Sequence, residues 1–275
     1  MRALSDRPED VQLRGTREVT ALVTGAGKRL GRAIALYLAR RGHDVAVHYS
    51  SSAEEAEATV ADIRALGRRA QAFQADLLDE AQVQALIPAA TAALGPLTVL
   101  VNNASIFEYD RIDTATRKSW DRHIESNLRA PYVLTQGFAR QCPPASMDET
   151  GEPRAQGLIV NMIDQRILKL TPEFSTYTIA KMGLWALTQT AAQGLAPHVR
   201  VNAIGPGPTL KGARQSEDHF TRQRAATVLG RGSNPSDITA ALGFFLDSPG
   251  VTGQFIAVDG GQHLGWKTPD VLGVE

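Results

Sequence analysis

The sequence predicts an α/β fold with three layers, in which helices cover both faces of a doubly wound parallel sheet. Short apolar runs alternate with segments of helical periodicity along the whole chain, as is typical of such sheets. A glycine-rich turn follows the first apolar run directly, where these folds place a ligand. The composition does not shift in mid-chain, so the 275 residues are expected to form a single domain.

The elements follow in chain order. The apolar runs are short, so they predict buried strands at 20–24, 45–49, 70–74, 97–101, 158–162, 199–204 and 254–258. The segments between them have helical spacing, so they predict helices at 30–41, 53–66, 79–94, 114–140, 174–197 and 236–247. The stretch 206–230 is rich in Gly, Pro, Lys and Arg and is expected to be irregular.

The domain is expected to span residues 18–265, between a flexible arm at 1–17 and a tail at 266–275. Residues 208–230 are expected to form a lid that excludes water from the site. The polar stretch 143–156 is expected to be a surface loop where strands enter the sheet, away from the ligand.

Composition excludes several classes of function. The 29 basic and 29 acidic residues cancel, which argues against a nucleic-acid surface or a polybasic membrane patch. The one cysteine, Cys142, cannot form an intrachain disulfide. The charged N-terminus lacks the apolar core of a secretion signal, and no apolar run approaches the ~18 residues that span a bilayer. We expect a cytoplasmic protein.

The turn after the first strand, T-G-A-G-K-R-L-G at 24–31, is a candidate phosphate-binding site. Glycines let the backbone approach a pyrophosphate, and the start of the next helix offers free N–H groups. The spacing is not G-x-G-x-x-G, so the position after the first strand carries the argument. A plain tight turn is the alternative. The expected cofactor contacts here are Gly25, Lys28, Arg29, Leu30 and Gly31.

The tip of the second strand indicates which dinucleotide binds. NAD enzymes place an acidic residue there to hold the ribose 2′-hydroxyl, but this chain has His48, Tyr49 and Ser50. Hydroxyls and the nearby Lys28 and Arg29 would accept a 2′-phosphate that a carboxylate would repel. We therefore expect NADPH (NADP+) rather than NADH.

Tyr177 and Lys181 lie four residues apart in a helical segment, so they share one face. Asp164 lies thirteen residues before Tyr177, at the expected tip of a strand. A nearby ammonium is expected to lower the pKa of a tyrosine from about 10 toward the working range. The three side chains predict a proton-transfer site, although an ordinary amphipathic helix with a loop aspartate is the alternative.

Two asparagine segments complete the candidate site. The run N-N-A-S at 102–105 follows the fourth strand, where Asn103, Ala104 and Ser105 could contact a cofactor or brace the strand ends. Asn127 lies in a predicted helix, four residues before Pro131. Because proline has no N–H, the carbonyl of residue 127 loses its partner and could hold a relay water. A turn and a simple helix kink are the alternatives.

Together these motifs resemble the short-chain dehydrogenase/reductase family from about residue 20 to 261. The resemblance also rests on Asp76, N-A-I-G-P-G at 202–207 and V-D-G-G at 258–261. It implies a Rossmann-like fold, hydride transfer from the nicotinamide, and a homotetramer. It implies a catalytic set of Asn, Ser, Tyr and Lys. Asn127, Tyr177 and Lys181 match three of these four positions. The cofactor contacts that it adds are Asp76, Leu77, Ala104, Pro206 and Gly207, with Tyr177 and Lys181.

Asp164 occupies the position of the family's serine, which resembles the pteridine reductase branch. Arg29 in the glycine turn, H-Y-S at the second strand and Ser105 point the same way. In that branch the pterin lies between the nicotinamide and an aromatic ring, and Phe107 falls at that position. The substrate contacts implied by the resemblance are Arg29, Ser105, Phe107, Asp164 and Tyr177.

The sequence therefore predicts NADPH-dependent reduction of a pteridine C=N bond, with Tyr177 as the proton donor and Asp164 feeding protons in. Burial is expected to raise the pKa of Asp164 for this role. Reduction of a 3-oxoacyl or sugar ketone is the alternative, although an ionised Asp164 would repel a developing oxyanion. A second alternative is a regulator that binds NADPH without catalysis. We expect no metal, because the histidines lack ligand spacing.

Overall fold

The computed structural model describes residues 19–212 and 215–268. Within them the strands are β1 (Thr20–Val23), β2 (Asp44–Tyr49), β3 (Ala70–Gln74), β4 (Leu97–Asn102), β5 (Ser146–Met147), β6 (Pro153–Arg154), β7 (Gly157–Met162), β8 (Val199–Pro206) and β9 (Phe255–Val258). The helices are α1 (Arg29–Arg40), α2 (Ala53–Ala65), α3 (Glu80–Leu94), α4 (Arg117–Ile124), α5 (Ala130–Gln141), α6 (Ser175–Gly194), α7 (Glu217–Ala225) and α8 (Pro235–Asp247).

Seven strands form one parallel sheet in the order β3-β2-β1-β4-β7-β8-β9. Successive side chains of a strand point to opposite faces of the sheet. The central residues of these strands are buried, because helices cover both faces. Ala21 and Val23 face a core with α1, α2 and α8, whereas Leu22 faces a second core with α3 and α5. The prediction of a single three-layer, doubly wound domain is confirmed.

Three regions differ from the sequence prediction. The long helix predicted at 114–140 begins at Arg117 and is divided by a π-helical segment, Glu125–Arg129. Pro131 supplies the reason, because it has no N–H for the carbonyl four residues earlier. The loop at 143–156 carries the antiparallel β5–β6 pair.

The stretch predicted to be irregular contains α7 and the end of β8. Ser216 caps α7 by accepting a hydrogen bond from the His219 N–H at 3.2 Å. No residue of α7 is buried, so the sequence of this helix lacks the hydrophobic periodicity that would predict it. The arm predicted at 1–17, residues 213–214 of the lid and most of the tail at 266–275 lie outside the described residues.

The sheet has its switch point beside β1, which lies between β2 and β4. Ligands bind at the carboxyl ends of the strands at such a point. The predicted site segments all follow the carboxyl ends of strands: 24–31 after β1, 48–50 at β2, 103–105 after β4 and Asp164 after β7. In the described part of the chain, no helix is long and apolar enough to span a membrane, and no metal-binding cluster of acidic, His or Cys residues occurs.

Candidate active site

The turn between β1 and α1 forms a cradle that only glycine can make. Gly25 has a φ of 63°, in the region that favours glycine. A Cβ on Gly31 would lie 2.1 Å from the Gly25 carbonyl oxygen. Lys28 caps α1 without a side-chain hydrogen bond, so the first N–H groups of the helix stay free for an anion. The turn therefore fits a pyrophosphate.

Asn103 and His48 hold this turn in place. Asn103 Nδ2 donates to the Thr24 carbonyl at 2.9 Å. The Gly25 N–H donates to His48 Nδ1 at 3.0 Å, and His48 Nε2 donates to the Ala75 carbonyl at 3.0 Å. Burial lowers the pKa of His48, which keeps the ring neutral and consistent with these roles. The prediction that His48 contacts the cofactor is therefore corrected. Its ring is buried and both ring nitrogens are hydrogen-bonded to the protein, so His48 supports the turn instead.

A cavity of about 350 Å³ opens above the turn. Most of the predicted cofactor contacts line it: Gly25, Lys28, Arg29, Leu30, Gly31, Tyr49, Ser50, Asn103, Ala104 and Ser105. A larger cavity, of about 550 Å³, lies between β9 and the segment after α7, but none of the predicted site residues lines it. We therefore place the cofactor in the smaller cavity, which the predicted cofactor contacts line.

The basic residues expected at the 2′-phosphate already have partners. Lys28 Nζ lies 3.7 Å from a Glu55 carboxylate oxygen, and both side chains are exposed. Arg29 adopts a φ of 55°, and its guanidinium donates to the carbonyls of Leu210 and Lys211 at 3.3 and 2.8 Å. Arg29 thus ties the glycine turn to the predicted lid.

The remaining predicted cofactor residues lie outside the lining of this cavity. Asp76 is exposed beyond β3, and its Oδ1 accepts from the Leu78 N–H, while Leu77 is buried. Pro206 ends β8, and a Cβ on Gly207 would lie 2.5 Å from the Asp259 Cβ. Their contact with a dinucleotide stays a prediction.

Asp164, Tyr177 and Lys181 meet as the sequence predicts. Tyr177 Oη donates to Asp164 Oδ2 at 2.9 Å, and the tyrosine is 5% exposed. Lys181 is buried, its Nζ lies 5.6 Å from the Tyr177 ring centroid, and it donates to the Met162 carbonyl at 2.8 Å. The three groups therefore form one buried cluster at the carboxyl end of β7.

The pKa of Tyr177 differs from the prediction. Burial and the adjacent Asp164 raise it well above 10, whereas a nearby lysine was expected to lower it. Burial also raises the pKa of Asp164, as predicted, and lowers that of Lys181 to about 8. Tyr177 and Asp164 therefore both tend to keep their protons, which suits a donor better than a base.

Asn127 acts on the loop after β4. Its Oδ1 accepts from the Ile106 N–H at 2.9 Å, and its Nδ2 donates to the Ile106 carbonyl at 2.8 Å. These two bonds fix the backbone between Ser105 and Phe107, which both approach Tyr177. The relay water predicted at the carbonyl of residue 127 stays a prediction.

Phe107 belongs to an aromatic group that the sequence revealed only in part. Its ring stacks on Phe174 with centroids 4.2 Å apart and planes at 10°, and it meets Tyr177 edge-on at 4.7 Å. Phe174, three residues before Tyr177, was not predicted as a site residue. The side chain of Ser105 lies close enough to the Tyr177 phenol to work against the rise in its pKa.

Sequence reasoning also missed the buried cluster beneath Tyr177. His123 Nε2 accepts from the Glu108 N–H at 3.1 Å, so its proton is on Nδ1, which donates to Thr176 Oγ1 at 2.7 Å. Thr176 Oγ1 in turn donates to the Asp110 carboxylate. Burial lowers the pKa of His123, which keeps it neutral. These hydrogen bonds fix the start of α6. The residues of the cluster lie too far apart in the sequence for a spacing pattern to reveal it.

Comparisons with known proteins identify the family of this chain. A family model described as short chain dehydrogenase matches residues 19–221. The 3-oxoacyl-[acyl-carrier-protein] reductase FabG of Staphylococcus aureus is 33% identical over 250 residues, which cover 89% of this chain and 98% of that protein.

Two solved structures add to this. The structure of FolM Alternative dihydrofolate reductase 1 from Brucella suis in complex with NADP has a TM-score of 0.85 and 42% identity, and covers 92% of this chain and 98% of that one. A short chain dehydrogenase from Burkholderia cenocepacia in complex with NADP has a TM-score of 0.80 and 33% identity, and covers 89% and 97%. The chain therefore belongs to the short-chain dehydrogenase/reductase family.

Proposed function

We propose that this protein is an NADPH-dependent reductase that acts on the C=N bond of a dihydropterin. The observation that carries the proposal is the hydrogen bond between Tyr177 Oη and Asp164 Oδ2 at 2.9 Å. A carboxyl group with a raised pKa stands where the family's usual set has a serine hydroxyl. It can pass a proton to the tyrosine, which reduction at nitrogen requires.

NADPH is the cofactor. The similar structures from Brucella suis and Burkholderia cenocepacia are NADP complexes, in agreement with the sequence prediction. The glycine cradle fits a pyrophosphate, and the tip of β2 ends in Tyr49 and Ser50, with no carboxylate among the residues that line the cavity. When bound, NADPH supplies the hydride.

The residues of this chain supply the proton and hold the substrate. Tyr177 donates its Oη proton to the substrate nitrogen. Asp164 then returns a proton to Tyr177, and burial, which raises its pKa, favours the protonated carboxyl group that this step requires. The Lys181 ammonium, bound to the Met162 carbonyl, favours the phenolate that forms for a moment at Tyr177. Phe107 offers a flat ring face for a heteroaromatic substrate, a contact worth about 0.5–1.5 kcal/mol beyond burial.

The FolM structure supports this substrate class, because its name describes an alternative dihydrofolate reductase. The test is NADPH oxidation with a panel of dihydropterins, ketones and a 3-oxoacyl thioester. We expect turnover with dihydropterins and a much lower kcat/KM with the ketones. Higher kcat/KM with ketones would overturn the proposal.

The second candidate is a 3-oxoacyl reductase, which the identity with FabG favours. Asp164 argues against it, because a carboxyl group stands where a serine hydroxyl would stabilise the developing oxyanion, and its ionised form would repel that charge. Turnover of the thioester alone in the same panel would favour this candidate. Tight NADPH binding without turnover of any substrate would favour a regulator that has no catalytic activity.

We also propose a homotetramer that is built through the long helices beside the site. Tyr132 on α5, and Ile179 and Met182 on α6, are 42%, 44% and 39% exposed. Exposed apolar side chains on surface helices are typical of a subunit interface. Light scattering after size exclusion should give four times the monomer mass of 29.6 kDa, and a monomer would contradict the proposal.

A further inference from the structure

Arg166 lies in the wall of the site, in a single turn of 3₁₀ helix (Gln165–Leu168) that follows Asp164. Its N–H donates to Asp164 Oδ1 at 2.8 Å. Its guanidinium carbon lies 5.0 Å from the centroid of the Phe174 ring, which stacks on Phe107. Arg166 therefore contacts Asp164 through its backbone and Phe174 through its side chain.

Arg166 makes no ion pair in the described part of the chain, and its charge only partly offsets the raised pKa values of Asp164 and Tyr177. Nη1 donates to Thr171 Oγ1 at 2.5 Å, but Nε is buried and has no hydrogen-bond partner among the described residues. In the described part of the chain, no carboxylate oxygen lies within 4.0 Å of the guanidinium. Buried polar groups are nearly always paired, so this unused donor indicates a missing acceptor.

Lys169 adds a second cation to the same turn. Its N–H donates to the Arg166 carbonyl at 3.1 Å, so the two residues stand close together. Its Nζ donates to the Gly265 carbonyl at 3.3 Å and makes no ion pair within residues 19–212 and 215–268. Arg166 and Lys169 therefore place two cations on the turn that follows Asp164.

The acceptor is not the pyrophosphate of the cofactor. The glycine cradle follows β1, whereas Arg166 follows β7, two strands away in the sheet. Neighbouring strands are about 4.8 Å apart, so the two positions are separated by about 10 Å. An anion at Arg166 must instead belong to the molecule that packs on Phe107 and reaches Tyr177. A carboxylate matches the planar fork of a guanidinium.

We propose that Arg166, with Lys169 beside it, binds a carboxylate on the side chain of the substrate, and so selects dihydropterins with an acidic tail over those with a neutral one. Dihydrofolate has such a tail, whereas dihydrobiopterin has a neutral one. The inference rests on the proposed function, since it names which pterins the same site prefers.

The test compares the two substrates in the wild type, Arg166→Leu, Arg166→Lys and Lys169→Gln. Arg166→Leu should lower kcat/KM for dihydrofolate by about 10- to 100-fold, mainly through KM. Its kcat/KM for dihydrobiopterin should fall less, so the ratio of kcat/KM for dihydrofolate over dihydrobiopterin should fall by about tenfold, because only dihydrofolate loses a charged contact. Arg166→Lys should recover part of the dihydrofolate activity, and Lys169→Gln should show a smaller loss of the same kind. Arg140→Gln, an exposed change on α5, is the matched control and should affect neither substrate.

Binding of the same two pterins to the NADP+-loaded enzyme separates this inference from the proposed function, because it needs no turnover. Tighter binding of dihydrofolate that depends on Arg166 and weakens with salt would support the site even if neither pterin is reduced. Equal losses for both pterins in Arg166→Leu would show that Arg166 only positions Asp164 and Phe174. That result, or wild-type binding of dihydrofolate no tighter than dihydrobiopterin, would overturn the inference.

Discussion

In the proposed mechanism, Tyr177 is held as a proton donor by its surroundings rather than activated as a base. Burial and Asp164 raise its pKa, so the phenol stays protonated across neutral pH. The proton leaves only when a basic nitrogen forms on the substrate beside it. A reductase needs this order of events, in which the donor gives its proton to a product that has just gained a hydride.

The Tyr177→Phe variant tests this role. The phenylalanine keeps the ring contact with Phe107 but loses the Oη that bonds Asp164. We expect kcat to fall by about 10²- to 10⁴-fold, the usual contribution of general acid–base groups. The Kd for NADPH, measured by fluorescence titration, should stay unchanged. Turnover near that of the wild type would refute the donor assignment.

Lys181 makes the stability of the free protein depend on pH. Its pKa falls to about 8 in the fold because burial disfavours the ammonium, against about 10.5 when unfolded. Below pH 8 the lysine is charged in both states, and its burial is a constant cost. Between about pH 8 and 10 the folded state loses its proton first, so the unfolded state binds more protons and stability rises with pH.

The Lys181→Met variant isolates that effect. The free energy of unfolding of the wild type relative to the variant, measured with urea, should be flat below pH 8. It should then rise by roughly 1 kcal/mol per pH unit up to about pH 10. A relative stability that falls across this window would show that the buried ammonium is stabilised rather than destabilised by the fold.

At the scale of elements, α6 carries both Tyr177 and Lys181, and its start is fixed from the loop after β4. The Phe174 N–H donates to the Asp110 carbonyl at 2.7 Å, and Thr176 bonds both Asp110 and His123. Asn127 in the π-helical segment holds the same loop one turn away. The helix, the loop and the π segment therefore set the position of the phenol together.

The Thr176→Val variant tests this clamp. Valine has the shape of threonine but leaves His123 and Asp110 without their shared hydroxyl, which should cost about 1–3 kcal/mol of unfolding free energy. Thr178→Val, on the same helix, is the control. The Thr178 hydroxyl is buried and has no hydrogen-bond partner among the described residues, so its loss should cost little unfolding free energy. Equal effects of the two variants in urea unfolding would contradict the role of the cluster.

For the whole molecule, the fold and the central chemistry could be predicted from the sequence because both depend on local patterns. Apolar runs identified the seven strands of the sheet, and the spacing of Tyr177 and Lys181 placed them on one helix face. Contacts between distant segments could not be predicted. Phe174 and Arg166 join the site only because the loop before α6 folds back on Phe107. The helix α7 has no buried face, so its sequence shows no hydrophobic periodicity.

The choice of dinucleotide is a property of the charge at one edge of the sheet. Ser50 follows β2 and lines the cofactor cavity. In Ser50→Asp, a carboxylate would face the 2′-phosphate, so the ratio of kcat/KM for NADPH over NADH should fall by about tenfold or more. Ser50→Asn, similar in size but neutral, should keep the ratio. An unchanged ratio in Ser50→Asp would place the 2′-phosphate elsewhere.

The central claim is that Asp164 adapts a short-chain reductase to pterins, and the Asp164→Ser variant tests it most directly. NADPH oxidation should be measured with a dihydropterin and with a ketone, in the wild type and the variant. Serine cannot resupply the proton to Tyr177, so kcat/KM for the dihydropterin should fall by about 100-fold or more, while kcat/KM for the ketone is kept or rises. An equal fall for both substrates, or an unchanged kcat/KM for the dihydropterin, would contradict the account.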